Sequence, residues 1–561
     1  MTQVDADAAD TAPRISALSA FRYPLFRSVW AASTLSNLGA LIQSVGAAWM
    51  MIQIARSADM VAFVQASVTL PIMLLSLVSG AMADNFDRRK VMLAAQTFML
   101  VVSVALAVCA WLGLVTPWLL LLFTFLIGCG TAFNAPAWQA SVGDMVPRAE
   151  LPGAVALNSM GFNIARSLGP AIGGLIVAAA GIAAAFAVNA ASYLPLMVVL
   201  LRWRPLPNPQ VLPRETLGTA VGAGIRYVSM SPVIRTALVR GAAFCVGASA
   251  IMALMPLVAK VLIAGGPVTY GLLLGAFGAG AVAGAIGVAQ LRRVMSIEAI
   301  VQSAGAAVAC AAAIVGVSTH LAITMAALVL GGAGWVLTLA TFNVAVQMSA
   351  PRWVVARALS LYQMAAFGGL AAGSWLWGVV AADAGVKLAL LVAAAVTLAF
   401  ALLGRWLPMT QSAELNLDPL RHWQAPSTAV PVEPRTGPVV ITIEYVIDEA
   451  DVVEFLRAMA ERKRIRRRDG ARNWRVLRDL ADPRVWVERY ETPTWLDYVR
   501  LNNRLTHDDA IVPERVLALH RGPGGPRVRR MIERQTSSLP LEPGSTSHEA
   551  IEPLNDPTRT S

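Results

Sequence analysis

Residues 80–92, GAMADNFDRRKVM, carry five charged side chains within seven positions and lie between two long apolar stretches. Across the 561 residues of the chain, 56% are hydrophobic and only 14% are charged, and the mean hydropathy is +0.60. A soluble core of this size requires far fewer apolar residues. The stretch therefore predicts a short polar loop between two membrane spans, in a chain that lies mostly within a membrane.

Twelve apolar stretches are long enough to cross a bilayer, whose hydrocarbon core requires about 20 residues of helix. They cover residues 28–50, 60–83, 91–113, 117–140, 153–179, 183–201, 236–260, 269–291, 297–317, 321–345, 358–382 and 386–407. None has the short apolar core and small-residue cleavage site of a secretory signal. We therefore expect an all-α membrane protein of twelve transmembrane helices, spans one to twelve.

Positively charged residues concentrate in one set of loops. If the N-terminus is cytoplasmic, sixteen Arg and Lys residues before the last span lie on the cytoplasmic side, against Arg56, Lys260 and Lys387 on the outer side. Because positive residues in short loops remain in the cytoplasm, we expect both termini there. The net charge of +11 then reflects membrane topology, so the expected partners are lipid and a small-molecule substrate rather than nucleic acid.

The first and second sets of six spans are related by a constant offset of 204 residues. The offset places Gly80, Arg88, Arg89, Pro147, Gly169, Gly174 and Gly181 on Gly284, Arg292, Arg293, Pro351, Gly373, Gly378 and Gly385. Such a repeat predicts two six-helix halves, residues 28–201 and 236–407, with a substrate site between them near the midplane of the membrane.

The remaining segments differ in composition from the spans. Residues 1–27 are expected to form a cytoplasmic tail, and residues 202–235 a cytoplasmic linker whose second part forms a short amphipathic helix. Residues 408–437 are a proline-rich linker across which few contacts are expected. Residues 438–521 alternate strand and helix patterns, which predicts a small α+β domain of ferredoxin-like type, and residues 522–561 are expected to be a disordered tail.

The segment GAMADNFDRRK resembles the loop signature of the major facilitator superfamily. The resemblance implies that Gly80, Asp84, Asp87, Arg88 and Arg89 form a conformational latch, with Asp84 facing the N-terminus of span eleven and pairing with Arg88. The alternative is that the loop only anchors the protein by its positive charge.

In span five, ARSLGPAIGG resembles the Gly-Pro motif of the drug-antiporter branch of the same superfamily. Gly169, Pro170, Gly173 and Gly174 would then bend the helix and allow tight contact. The family usually has a glycine where this chain has Ala165, and helix packing without a transport role is the alternative.

Longer segments resemble one bacterial group of the superfamily, the transmembrane secretion effectors, which include the enterobactin exporter. These segments are SNLGALIQSVGAAWMMIQIARS, SVTLPIMLLSLVSGAMADNFDRR, FNAPAWQASVGDMVPRAELPGAVALNSMGFNIARSLGPAIGG and RTGPVVITIEYVIDEADVVEF. The resemblance implies a multi-pass protein of the bacterial inner membrane that exports a siderophore-, drug- or metabolite-like molecule, with proton antiport as one mode of coupling.

Polar side chains inside spans are costly and indicate candidate substrate pathways. Arg166 lies about 13 residues into span five, which at about 1.5 Å per residue places it near the midplane; the alternative is a structural arginine held by a carbonyl or by Asn163. The remaining candidates are equally well explained by interhelical hydrogen bonds; they are Asn37, Gln43, Asn134, Gln139, Asn189, Asn343 and Gln363.

Other sequence features favour no enzyme, metal or cofactor. The four cysteines all lie within apolar spans, without ligand-like spacing. The basic run at 462–472 is expected to be a solvated face of the α+β domain, or else to contact anionic headgroups. Besides a secondary exporter working by alternating access, the alternatives are an importer and a membrane-anchored enzyme or ligand sensor acting through the C-terminal domain. Neither the compound nor the oligomeric state follows from the residues.

Overall fold

The computed structural model describes residues 19–55, 57–147, 150–204, 217–351, 353–409, 420 and 426–533. Within these residues twelve helices are long and apolar enough to cross a membrane, as predicted. Their bounds are α1 (Pro24–Ile54), α2 (Ala58–Asn85), α3 (Arg88–Trp111), α4 (Pro117–Met145), α5 (Leu151–Ala180), α6 (Ile182–Arg202), α8 (Pro232–Leu257), α9 (Pro267–Val294), α10 (Ile297–Val317), α11 (Leu321–Met348), α12 (Val355–Ala384) and α13 (Val386–Leu402).

Shorter elements complete the described part of the chain. The predicted linker helix is α7 (Leu217–Met230), and α8 continues into a π-helical turn, Val258–Leu262. The C-terminal domain contains α14 (Val452–Asp469), α15 (Trp495–Asn503), α16 (His507–Ala518), β1 (Val439–Val446), β2 (Arg472–Arg478), β3 (Val485–Thr492) and β4 (Arg527–Ile532). Single turns of 3₁₀ helix lie at Ser19–Arg22, Leu403–Arg405 and Glu449–Asp451.

The sequence repeat is visible in the connections between helices. Gly181 joins α5 to α6 with φ +86° and ψ 172°, and Gly385 joins α12 to α13 with φ +85° and ψ 158°. The two glycines are related by the 204-residue offset, and their positive φ is a conformation that only glycine adopts without strain. The same tight helical hairpin therefore occurs at equivalent places in both halves.

The chain divides into two compact units. The first contains residues 1–218, 236–346 and 359–411, which include nearly all of the twelve long helices. The second contains the C-terminal domain together with residues 219–235 and 347–358. The expectation that few contacts join the C-terminal domain to the rest of the chain is therefore wrong for these two segments.

An ion pair between Arg240 and Glu298 holds two helices of the first unit and the segment after α13 together. Arg240 in α8 is 2% exposed, and its guanidinium donates to both carboxylate oxygens of Glu298 in α10, at 2.6 and 2.9 Å. It also donates to the carbonyl of Leu407, and Glu298 accepts from the backbone N–H of Met409 at 3.3 Å. Sequence position suggests that Arg240 reaches water at its helix end; instead both terminal nitrogens bind inside the protein and fix the chain beyond α13, while Nε has no hydrogen-bond partner among the described residues.

The second unit is built on an antiparallel sheet of four strands in the order β2, β3, β1, β4. One face of β1, with Ile441, Ile443 and Tyr445, packs on α14 through Phe455. This strand order is compatible with the expected ferredoxin-like arrangement. Strand β4 carries the domain past the predicted boundary at 521. Of the predicted tail, residues 534–561 lie outside the described residues.

The basic run at 462–472 is divided between surface and interior: Lys463, Arg464, Arg467 and Arg472 are exposed, as expected, but two arginines are buried, and for these the interpretation as a solvated face is corrected. Arg462 and Arg466 are each 7% exposed and lie beside Glu488, which is fully buried. Arg462 Nε donates to Glu488 at 2.8 Å, and Tyr445 and Trp474 donate at 3.0 and 2.9 Å. Burial alone would raise the pKa of Glu488, but the two arginines outweigh burial and hold its pKa below the usual value. A satisfied ionic cluster thus fills the space between sheet and helix.

Replacing Arg240 by Met should destabilise the detergent-solubilised protein, because Glu298, whose side chain is 23% exposed, loses its bidentate partner. Removal of one member of a fully buried pair costs about 3 to 5 kcal/mol; the partial exposure of Glu298 lowers this cost, so the melting temperature should fall by a few degrees. The double variant Arg240→Met/Glu298→Gln should recover part of the loss, since no uncompensated charge remains. Thermal unfolding followed by tryptophan fluorescence tests this.

The matched control for this experiment is Arg293→Met, which removes an exposed arginine at the end of α9. It should leave the melting temperature within about a degree of wild type. Equal destabilisation by Arg293→Met and Arg240→Met would show that the Glu298 pair has no special role.

Candidate functional site

Two helices from opposite halves, α5 and α9, approach each other through glycines. A Cβ atom at Gly271 of α9 would lie 2.5 Å from the carbonyl oxygen of Pro170 in α5, and a Cβ at Gly174 would lie 2.6 Å from the carbonyl oxygen of Pro267. A Cβ at Gly278 would lie 2.6 Å from the carbonyl oxygen of Arg166. Any side chain at these positions would push the halves apart.

The opposite side of α5 packs on α1 in the same way. A Cβ at Gly169 would lie 2.8 Å from Cβ of Leu41, and one at Gly173 would lie 3.0 Å from Cα of Ile42. The helix continues through Pro170. The glycines of the ARSLGPAIGG motif therefore place α5 between α1 of its own half and α9 of the other half, and packing accounts for each of them.

Arg166 projects from α5 at this junction and is partly buried. Its guanidinium lies over the ring of Phe277 in α9, with Cζ 5.9 Å from the ring centroid. Among the described residues it makes no hydrogen bond or ion pair; the side chain of Asn163, its expected partner, lies outside them. A cation–π contact recovers about 0.5 to 2 kcal/mol, and the described residues supply no acceptor for the five N–H donors of the guanidinium.

Phe277 belongs to an aromatic cluster that the sequence did not indicate. Its ring is 5.9 Å from that of Trp335 in α11, edge to face, and Trp335 is 6.0 Å from Phe244 in α8. All three side chains are buried. These residues hold the surface over which Arg166 lies, and only the packing of three helices brings them together.

Gln43, Asn189 and Ser103 form a buried polar cluster that joins α1, α6 and α3. The side-chain oxygen of Gln43 accepts from Ser103 Oγ at 3.2 Å and from Asn189 Nδ2. Asn189 also donates to Tyr193 at 3.0 Å. Both side-chain amides thus form interhelical hydrogen bonds inside the first half. This arrangement agrees with their interpretation as interhelical contacts rather than as part of a substrate pathway.

The other polar candidates are placed in different surroundings. Asn134 accepts from Gln96 Nε2 at 3.2 Å, joining α4 to α3. Gln139 is exposed on α4, whereas Asn37, Asn343 and Gln363 are partly buried. Within the described residues these four side chains have no hydrogen-bond partner. Asn37, Asn343 and Gln363 therefore remain, with Arg166, the polar groups best able to contact a bound molecule.

The charged loop between α2 and α3 ties several helix ends together. Asp87 caps α3 by accepting from the backbone N–H of Arg89 at 3.0 Å. Arg89 donates to the carbonyls of Leu200 and Leu201 at the end of α6, at 2.7 and 2.9 Å. The sequence predicts that these side chains belong to the latch, but it indicates neither the cap of α3 by Asp87 nor the contacts of Arg89 with the carbonyls of α6.

Two further contacts of the loop involve other helices. Arg88 forms an ion pair with Asp144 at the end of α4, at 2.9 Å. A Cβ at Gly80 would lie 3.4 Å from Ser360 Oγ in α12, so the inner part of α2 contacts a helix of the other half. The side chain of Asp84, on which the latch hypothesis depends, lies outside the described residues. No sequence signal other than the charge of Asp144 indicated its pairing.

No group of three or more His, Cys, Asp or Glu side chains that could hold a metal ion occurs among residues 19–533 where they are described. Glu298, the second residue of α10, has no pattern in the sequence that indicates its role. Its role follows from the distance to Arg240, 58 positions away in the chain.

Comparison with known proteins gives the family. Residues 15–538 match the family described as transmembrane secretion effector. The chain is 29% identical over 225 residues to the multidrug efflux pump Tap of Mycolicibacterium fortuitum, a match covering 38% of this chain and 54% of that protein. It is 30% identical over 187 residues to the enterobactin exporter EntS of Shigella boydii, covering 33% of this chain and 44% of that protein.

The fold is similar to that of a solved transporter. A bacterial homologue of the human lysosomal transporter Spinster, in an inward-facing and unoccupied conformation, aligns with a TM-score of 0.56 and 13% identity, over 69% of this chain and 97% of that chain. At this identity the likeness concerns the fold alone, and the chain spans about half the length of the curated relatives it matches. Because the family match extends over nearly the whole sequence, the chain belongs to the transmembrane secretion effector family of major facilitator transporters.

Proposed function

We propose that the protein is a secondary transporter that exports a small organic anion by alternating access of its two six-helix halves. The observation that carries the proposal is Arg166, a partly buried guanidinium at the contact between α5 and α9 whose N–H groups have no acceptor among the described residues. An arginine near the centre of a membrane helix costs about 2.5 to 3.5 kcal/mol. A bound carboxylate or other planar anion would offset that cost.

The chemistry of the guanidinium narrows the substrate class. Its planar, forked donors match the two oxygens of a carboxylate or the paired oxygens of a catecholate-like group. The relatives are consistent with this class, since one is an enterobactin exporter and another a multidrug efflux pump. Siderophore-like and drug-like anions therefore head the set to be tested.

Export, rather than import, is proposed from the same relatives. We place the protein in the bacterial inner membrane with both termini in the cytoplasm, because the loops and tails on that side hold most of the Arg and Lys residues. Proton antiport is the proposed coupling, on the resemblance of ARSLGPAIGG to the antiporter motif.

The latch proposal rests on the loop between α2 and α3. Gly80 approaches α12 of the other half, while Arg88 and Arg89 hold the loop to α4 and α6 of its own half. Asp84 lies one helical turn after Gly80 in α2, where its charge would act on the N-terminus of α12. A contact of this kind exists in one conformation and is lost in another.

Changing Arg166 to Gln should strongly reduce export of anionic compounds. A charge-assisted hydrogen bond contributes about 1.5 to 3 kcal/mol, so the apparent affinity should fall about 10-fold or more. Arg166→Lys should retain part of the affinity, because it keeps the charge but loses the forked geometry. Uptake of aromatic carboxylates and catecholates into everted membrane vesicles, normalised to inserted protein, measures the effect.

The internal control for Arg166 is an uncharged analogue of the same compound, whose transport should change little in Arg166→Gln. Unaltered anion export by Arg166→Gln would make Arg166 structural. Loss of folding in both variants would show that the guanidinium is bound to the protein itself.

Asp84→Asn should slow transport several-fold without preventing insertion. The substitution removes attractions of about 0.3 to 2 kcal/mol each, which is enough to shift a balanced equilibrium between two conformations. Lys90→Gln is the matched control, since it alters the charge of the same loop at an exposed position. Equal slowing by both variants would favour simple anchoring by positive charge.

Addition of a protonophore should abolish uptake into energised everted vesicles if export is proton antiport. The pH gradient is then removed while the vesicles remain intact. Uptake at the same rate with and without the protonophore would indicate another coupling ion.

A further inference from the structure

Four side chains of the second compact unit form a continuous stack, here named the clasp: Arg468, Tyr227, Trp353 and Arg504. Arg468 Cζ lies 5.1 Å from the ring centroid of Tyr227, and the Tyr227 ring lies 5.7 Å from that of Trp353, edge to face. Arg504 Cζ lies 4.1 Å from the ring centroid of Trp353. Two aromatic rings are thus held between two guanidinium groups, an arrangement that the ring quadrupoles favour.

The two arginines belong to the C-terminal domain and are positioned by it. Arg468, near the end of α14, forms ion pairs with Asp469 at 3.0 Å and with Asp509 at 2.8 Å. Arg504 follows α15 and donates to the backbone carbonyl of Asp469 at 3.1 Å. These contacts within the domain hold the guanidinium groups without help from the rings, which favours a preorganised surface at this corner of the domain.

The two rings belong to segments that connect membrane helices. Tyr227 lies on α7, the linker helix between the two halves, and is 3% exposed. Trp353 lies in the connection between α11 and α12. The two segments also contact each other, since Tyr227 Oη donates to the carbonyl of Ser349 at 3.4 Å.

Backbone contacts extend the clasp on both sides. Arg226 Nε donates to the carbonyl of Arg468 at 3.2 Å, which joins α7 directly to α14. A Cβ at Gly224 would lie 2.9 Å from Cβ of Arg357, so α7 packs closely on the first turn of α12. Arg residues of the C-terminal domain therefore hold both connecting segments at once.

Covalent continuity gives this contact a mechanical consequence. The linker helix is joined to α6 of the first half and α8 of the second, and the segment with Trp353 leads into α12. Within the first unit, α12 meets α2 of the other half, where a Cβ at Gly368 would lie 2.9 Å from Met73 Sδ. Docking of the linker helix on the α11–α12 connection therefore holds it with the second half, so that rotation of the first half has to be taken up by the residues between α6 and α7.

We propose that the Arg468–Arg504 corner of the C-terminal domain is a docking surface whose partner is this chain's own linker helix and the connection between α11 and α12, and that docking slows the change between conformations. The proposal rests on the alternating-access function proposed above. It assigns the C-terminal domain a role as a conformational brake, with neither a substrate nor a catalytic step of its own.

Hydrogen exchange of the full-length protein tests docking without any substrate. In Arg504→Ala and Trp353→Ala, residues 219–230 and 347–358 should exchange about five-fold faster or more, because a cation–π contact and its packing are lost. Tyr227→Phe keeps the ring and should show a smaller change. Arg464→Ala, on the exposed side of α14, is the matched control and should exchange like wild type.

Alkylation at position 363 tests the consequence for the membrane part. Gln363→Cys is combined with each clasp variant, and labelling by N-ethylmaleimide is quantified on the peptide containing position 363, so that native cysteines do not interfere. Faster exchange together with at least about three-fold faster labelling supports the brake.

The outcomes separate the steps of the proposal. Unchanged exchange in Arg504→Ala and Trp353→Ala overturns the docking surface. Faster exchange with unchanged labelling overturns the brake, because the docked segments would then not limit the conformational change. Failure of the transport function itself shows separately, as absence of anion uptake into vesicles by the wild-type protein, which neither of these measurements requires.

Discussion

The close approach of α5 and α9 is the constraint on which the rest of the membrane part depends. The backbones of these two helices, from opposite halves, meet where Gly174, Gly271 and Gly278 have no side chain. A single Cβ at any of the three would prevent this contact. Lipid supplies no hydrophobic drive for helix association, so packing of small residues has to provide it. This junction sets the separation of the halves and places Arg166 between them.

The twelve helices were predictable because each must bury its backbone hydrogen bonds within an apolar stretch of about 20 residues, a property that is local in sequence. The loop signature and the 204-residue repeat can also be recognised from the sequence alone. The ion-pair partners on different helices could not be predicted, because the pairing of Arg88 with Asp144 and of Arg240 with Glu298 depends on distances that only the packed bundle defines. Hydropathy identifies a helix but not the helix it faces.

The C-terminal domain shows a similar limit for a different reason. Strand β4, RVRRMI, has three arginines in six residues, and its side chains are mostly exposed, so no alternation of apolar residues indicates it. It is nevertheless held by backbone pairing with β1 from Val439 to Glu444. The run RKRIRRRDGAR has the composition of a solvated surface, yet Arg462 and Arg466 neutralise the buried Glu488. A run of charged residues in a sequence does not tell whether the charges are solvated by water or paired with a carboxylate distant in the chain.

Two arginines inside the membrane part illustrate how the structure separates scaffold from site. Arg240 has a bidentate carboxylate, a carbonyl acceptor and the ring of Phe342 at 5.6 Å. Its cost of burial is offset within the protein, so a ligand would gain little by approaching it. Among the described residues, the guanidinium of Arg166 contacts the ring of Phe277 and has no hydrogen-bond acceptor. The two residues have the same chemistry, and their depth in the sequence already separates Arg166, near the middle of its span, from Arg240, near the end of its helix. What distinguishes them further is the number of acceptors that the fold supplies. Because the described residues supply no acceptor to Arg166, at the contact between the two halves, it is the position where the anion proposed as the substrate would gain the most from binding.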